Sequence, residues 1–276
     1  MILRILKLFI SILVYCSDQF KILSRKISGR KIPPKYIVLY YHAVRQEQRE
    51  RFAKQLDAIL SLSKPFHLDN EYPDVNGSHH VAITFDDGFA SFLQYALPEL
   101  GKRGMPFTMF VPTGYIGQPP GWIKTGSQRF QPERIMNEEE LRKLSRLKIA
   151  AIGSHCLTHR NLENLTEDEA RDEISHSKTD LERILGKKVI TLSFPHGGFH
   201  RTHIAYAREA GYERVFSIIP APAFETENEY ITGRINCDPN DWLLEFRLKL
   251  LGAYRWRRSA SNMKAWLRQI FHHSVQ

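Results

Sequence analysis

Seven short apolar runs, each followed by a segment of helical pattern, constrain the fold of this chain more than any other feature. The runs fall at 37–41, 81–85, 107–111, 149–153, 190–194, 214–218 and 231–235. The helical patterns lie near 49–62, 89–103, 137–146, 166–185, 201–210, 240–251 and 260–271. A strand that is apolar at every position is buried on both faces, as in a parallel sheet covered by helices. This many strand–helix units in about 240 residues predict an α/β barrel rather than an open sheet. Thr166 to Glu169 form a capping box with acids in the first turn of the 166–185 helix. Two long connections, 64–80 and 112–136, interrupt the alternation.

Charge is distributed unevenly. The net charge is +9. Over residues 1–35 the basic residues face Asp18 alone, and residues 240–276 are also strongly basic, so the middle of the chain is mildly acidic. A nucleic-acid-binding barrel would carry its basic charge over the functional face. Basic ends suit contact with anionic lipid instead. Hydrophobic residues make up 42% of the chain, a globular composition. Three scattered cysteines, Cys16, Cys156 and Cys237, do not make a disulfide framework.

The segment before the first strand reads as one amphipathic helix. Its longest uncharged apolar stretch, residues 8–16, is too short to span a bilayer. Arg4, Lys7, Ser11, Asp18 and Arg25 fall near one stripe, while Ile5, Leu6, Phe9, Leu13, Phe20 and Leu23 fall elsewhere. An interfacial or signal-anchor helix, a cleaved signal peptide and a core helix all fit, although no small-x-small cleavage site follows. Pro33-Pro34 ends any helix. The expected division is therefore 1–32, a membrane-associating helix, and 36–276, the barrel, placed at a bacterial cell envelope.

Three polar clusters end predicted strands, and in a parallel barrel all such ends share one rim. The first is Asp86-Asp87-Gly88, after the run 81–85. Adjacent carboxylates at a strand end can point apart, one toward a metal and one toward a water, but they also fit a turn followed by a helix cap. The second is His155 and His159, read as imidazoles on one face of a helical turn. With one carboxylate they make a three-ligand site with an open position, the signature of a catalytic metal. Cys156 between them reads as a small filler. The third is Phe194-Pro195-His196-Gly197-Gly198.

Thr-Phe-Asp-Asp-Gly at 84–88, the His155/His159 pair and the 194–198 segment, in this order, resemble the leading motifs of the polysaccharide deacetylases, also called the NodB-homology or carbohydrate esterase family 4 domain. The resemblance spans roughly residues 36–240. It implies a distorted (β/α)7 barrel, a divalent metal, usually zinc, and removal of N-acetyl groups from an amino-sugar polysaccharide. By motif position Asp87, His155 and His159 would be the ligands and Asp86 the general base. The backbone N–H of His196, beside Gly197, would serve as an oxyanion donor.

The departures from the family pattern also carry expectations. Ser193 stands where the family has an arginine that braces the base, and Arg234 is a candidate replacement. The late Leu-x-His that supplies the general acid is absent. His42 ends the first strand instead, as in the subgroup that includes poly-N-acetylglucosamine deacetylases, and first and last strands of a closed barrel are neighbours. His42 also fits a core histidine packed by Tyr40 and Tyr41. Trp122 and Phe199 are candidate stacking surfaces for sugar, or loop packing. A catalytically inactive carbohydrate-binding homologue is the alternative to an enzyme.

Overall fold

The apolar runs form strands that pair in parallel with their neighbours. The computed structural model describes residues 1–69, 76–123, 133–226 and 228–259. The strands are β1 (Lys35–Tyr41), β2 (Lys64–Pro65), β3 (His79–Phe85), β4 (Phe107–Val111), β5 (Ala150–Ser154), β6 (Thr191–Ser193), β7 (Arg214–Phe216), β8 (Ile231–Thr232) and β9 (Ile235–Asn236). Their order is β8-β7-β6-β5-β4-β3-β1-β9, with β2 added beside β3. β8 pairs with β7 and β9 pairs with β1, so the two edges of the sheet are separated in the chain by Gly233 and Arg234 alone. A sheet whose opposite edges lie two residues apart must curl round, and this gives the expected distorted barrel.

That seam explains why the predicted strand 231–235 is divided. At Gly233 a Cβ would lie 2.5 Å from the Ile219 carbonyl oxygen, so only glycine permits the approach. The next N–H, of Arg234, donates to the same carbonyl at 3.0 Å.

The helices are α1 (Ile2–Ile27), α2 (Arg49–Leu62), α3 (Ser91–Tyr95), α4 (Leu97–Lys102), α5 (Glu138–Ser145), α6 (Glu167–Leu185), α7 (Arg201–Glu209) and α8 (Leu243–Leu250). The pattern at 89–103 becomes two short helices, with Pro98, which lacks an N–H, in the first turn of the second. The Thr166/Glu169 capping box forms, and Gly186 closes α6 in a left-handed conformation. The helical pattern at 260–271 lies outside the described residues.

Strand apolarity follows from burial on both faces. Ile37, Leu39 and Tyr41 of β1 belong to the large core beneath the helices. Tyr36 and Val38, on the opposite face, join Ala82, Phe110 and Phe216 in a narrow core inside the barrel. β1 and β3 pair in register from Lys35–His79 to Tyr41–Phe85, so both strands end at one level. The Asp86 N–H then donates to the Tyr41 carbonyl at 2.8 Å, which brings Asp86 beside His42 on the rim.

Candidate active site

Asp86 follows β3 and is 2% exposed. A carboxylate at that depth needs a partner, and Arg234 provides it from the seam. The guanidinium, fully buried, donates from Nη1 to Oδ1 at 2.7 Å and from Nη2 to Oδ2 at 2.8 Å. Such a two-pronged pair fixes the plane of the carboxylate as well as its charge. Nη2 also donates to the Ser193 hydroxyl at 2.7 Å and Nη1 to the Thr84 hydroxyl at 3.0 Å. Tyr40 and Phe110 rings lie 4.7 and 5.3 Å from the guanidinium. Ser193, the position where an arginine was expected, thus accepts a hydrogen bond from an arginine on another strand. Burial opposes ionisation of Asp86, but the guanidinium outweighs it and holds the carboxyl down at about 2.

Asp87 turns the other way. Its φ of 72° lies in the left-handed region, as do those of Cys156, His159 and His196, four of the five such non-glycine residues described. Strained backbone concentrated at one place is a mark of a functional site. The Asp87, His155 and His159 ligand atoms lie within 4.8 Å of one another, and all three residues are buried. Asp87 Oδ1 is 3.1 Å from His159 Nε2 and 3.8 Å from His155 Nε2. The two imidazoles do not meet through a helical turn, as their spacing suggested. They are carried by an irregular loop after β5 in which Cys156 and His159 are left-handed.

The His155 ring is oriented by a 2.7 Å hydrogen bond from Nδ1 to the Ser193 carbonyl, which leaves the Nε2 lone pair toward Asp87. Burial pushes the His155 imidazole down to about 4, so it is neutral near pH 7. Asp87 Oδ1 is buried without a hydrogen-bond partner. An orphaned carboxylate oxygen facing two imidazole nitrogens fits a divalent cation, and the donor set is one that zinc accepts. Cys156 is buried and is not part of the cluster.

Glu173, outside every motif read from the sequence, supports this loop. It is 1% exposed on the inner face of α6, where Ala170, Ile174 and Ser177 are also buried. It accepts from the N–H groups of Leu157 at 2.9 Å and Thr158 at 2.7 Å, and from the Thr158 hydroxyl. An acid on the inward stripe of an amphipathic helix was its signal. A cation held by Asp87, His155 and His159 should bind about 10–100-fold more weakly in Glu173→Gln, as loss of outer-sphere support predicts. Competition with a chelator measures this, and unchanged affinity would mean that the loop holds without it.

A cleft of about 590 Å³ is lined by Tyr40, His42, Asp86, Asp87, Trp122, His155, His159 and His196, among others. His42 is exposed there, with Tyr40 5.7 Å away. Trp122 stacks on His159 at 4.1 Å and so backs that imidazole as well as the cleft. The His196 ring lies 4.7 Å from His159. Phe199 stacks on Phe194 at 4.9 Å and is not among the lining residues. A Cβ at Gly197 would meet Ile218 at 2.2 Å, so the approach that Gly197 permits is to that side chain.

A family model for polysaccharide deacetylases matches residues 74–215, slightly more than half of the chain. The chain belongs to the polysaccharide deacetylase family. YxkH of Bacillus subtilis is 26% identical over 159 residues, 58% of this chain and 52% of that protein. A Staphylococcus aureus poly-beta-1,6-N-acetyl-D-glucosamine N-deacetylase is 23% identical over 166 residues, 56% of this chain and 53% of that one. The chain thus spans about half the length of the curated relatives it matches. IcaB from Ammonifex degensii has the same fold, with a TM-score of 0.63 at 21% identity, covering 80% of this chain and 97% of that one.

Proposed function

We propose that this polysaccharide deacetylase is a metal-dependent hydrolase that removes N-acetyl groups from an amino-sugar polysaccharide of the N-acetylglucosamine type. The observation that carries the reading is the division of labour between adjacent carboxylates: Asp86 is locked to Arg234, while Asp87 faces two imidazoles in the same cleft.

A divalent cation held by Asp87, His155 and His159, zinc by its donor types, would polarise the acetamide carbonyl and acidify water. Asp86 is ionised at neutral pH and accepts the proton of the attacking water. Arg234 keeps that carboxylate charged and aimed, and Ser193 and Thr84 hold the guanidinium in plane. The backbone N–H of His196 donates to the carbonyl oxygen as charge develops on it. His42 gives a proton to the departing amine, a task suited to an imidazole. Trp122 excludes water from one side of the cleft and offers a face to a sugar ring.

Acetate release from a panel of N-acetylated amino-sugar oligomers tests the reading. His42→Ala is expected to keep its metal and to lose about 100-fold or more in acetamide turnover. An activated aryl ester, whose leaving group needs no proton, should lose far less. Equal losses on amide and ester would remove His42 from the acid role. No acetate release by the metal-loaded protein would leave a carbohydrate-binding barrel without the chemistry.

A further inference from the structure

α1 packs on the barrel through a mixed stripe, in which Leu8, Ile12 and Tyr15 meet the core and polar residues lie between them. Its inward positions recur at alternating steps of four and three residues, and every seventh is polar: Arg4, Ser11 and Asp18. Arg4 Nε donates to Glu245 at 2.7 Å, and Ser11, fully buried, accepts from the Trp256 indole at 2.9 Å. Asp18 accepts two hydrogen bonds from Arg255 at 2.6 and 2.7 Å. These contacts fix the rotation of the helix about its own axis. The face left outward then carries Ile5, Leu6, Phe9, Leu13, Phe20 and Leu23, each at least 50% exposed. An amphipathic helix in water buries that face.

Three further observations narrow what covers it. Lys7, Lys21 and Arg25 are exposed; by helical spacing Lys21 flanks the apolar face, and Lys7 and Arg25 fall beside the stripe of Arg4, Ser11 and Asp18. The one acid of the helix, Asp18, is engaged with Arg255 and Lys35. At the Arg4 end, Trp242, Leu243 and Leu244 are exposed as well, with the Arg4 guanidinium 4.3 Å from the Trp242 ring. Among the described residues no helix is long and apolar enough to cross a membrane. A second copy of this chain would bring the same cations against these ones. An anionic lipid surface brings the complement, and an indole with leucines beside it suits the headgroup boundary.

We infer that α1 is a lipid-docking helix that lies flat on an anionic bilayer, with its apolar face in the headgroup boundary and Lys21 beside the phosphates. The docking also orients the barrel. Met1, Leu3, Arg4 and Lys7, from the start of α1, line a groove of about 890 Å³ together with His42, which lines the catalytic cleft too. A bilayer bound to α1 therefore borders the groove that opens from the cleft. The inference goes beyond the deacetylase reading and does not depend on it.

The test uses the full chain and sedimentation with two kinds of vesicle, pure phosphatidylcholine and phosphatidylcholine containing phosphatidylglycerol. The wild type is expected to partition onto the anionic vesicles. The double variant Phe9→Glu/Leu13→Glu should lose at least about tenfold in partitioning, because two charges enter the apolar face. Lys21→Gln should lose about fivefold on anionic vesicles and little on neutral ones. Acetate release from a soluble oligomer should be the same for all three proteins, since these positions face away from the cleft; this separates the result from the deacetylase reading. Failure of the wild type to sediment, or undiminished sedimentation of the double variant, would overturn the inference. So would a dimer in light scattering that the double variant abolishes, which would give the face to a second copy.

Discussion

His155→Ala or His159→Ala is expected to abolish tight metal binding and activity together while the barrel still melts cooperatively. Each substitution removes one of the three proposed ligands, whose donor atoms lie within 4.8 Å of one another. The loss of affinity should exceed the roughly 100-fold upper end for outer-sphere residues. Neither imidazole belongs to a strand, so strand pairing survives. His155 contributes one hydrogen bond to the Ser193 carbonyl, and His159 contributes its stacking under Trp122. Metal content by elemental analysis, acetate release and a thermal melt on the same preparations decide the matter. Stoichiometric metal in both variants would sink the ligand assignment.

The second large effect lies in the Asp86–Arg234 pair. Asp86→Asn is expected to retain metal and to lose about 100-fold or more in turnover, because the proposed base disappears and the proposed ligands remain. If the metal leaves instead, the roles of the two carboxylates are reversed. The same variant should be destabilised, since it strands a fully buried guanidinium without its counter-charge. Removing one partner of a buried pair costs on the order of 3–5 kcal/mol. Arg234→Met strands the carboxylate and should cost a similar amount. The double variant Asp86→Asn/Arg234→Met, with neither charge left, should recover much of that stability in urea and none of the turnover. Strictly additive losses in the double-mutant cycle would mean that the two residues do not act as a pair.

The strands were legible because burial on both faces leaves an unbroken apolar run. Their ends were less so: β6 and β7 are shorter than their runs, and the helical pattern at 89–103 divides at Pro98. Asp86, His155 and Pro195 announced themselves as polar or turn residues directly after apolar strands. Spacing suggested that His155 and His159 would meet but named the wrong route, because left-handed backbone at Cys156 and His159 leaves no periodic trace. The bond from Arg234 to Asp86 joins residues 148 positions apart, and no local pattern could fix its geometry. Glu173 was readable as an acid on a buried helix stripe, yet its partners were not. The polar repeat at Arg4, Ser11 and Asp18 was visible as a stripe, but not that the stripe faces the barrel.

A ring of parallel strands has no first strand. His42 follows the first strand of this barrel and Arg234 precedes the last, yet Tyr40 and Asn236 are direct partners across the closing pair. Between β8 and β9 the ring is joined by two residues, one of them Arg234. Site geometry is therefore set by order around the rim and not by order along the polypeptide. A gene rearranged to begin at another loop of the circle could keep every distance in the cleft while shuffling the sequence in which its motifs appear. Relatives of this kind are better sought by asking which neighbour each strand end faces than by asking which motif is read first.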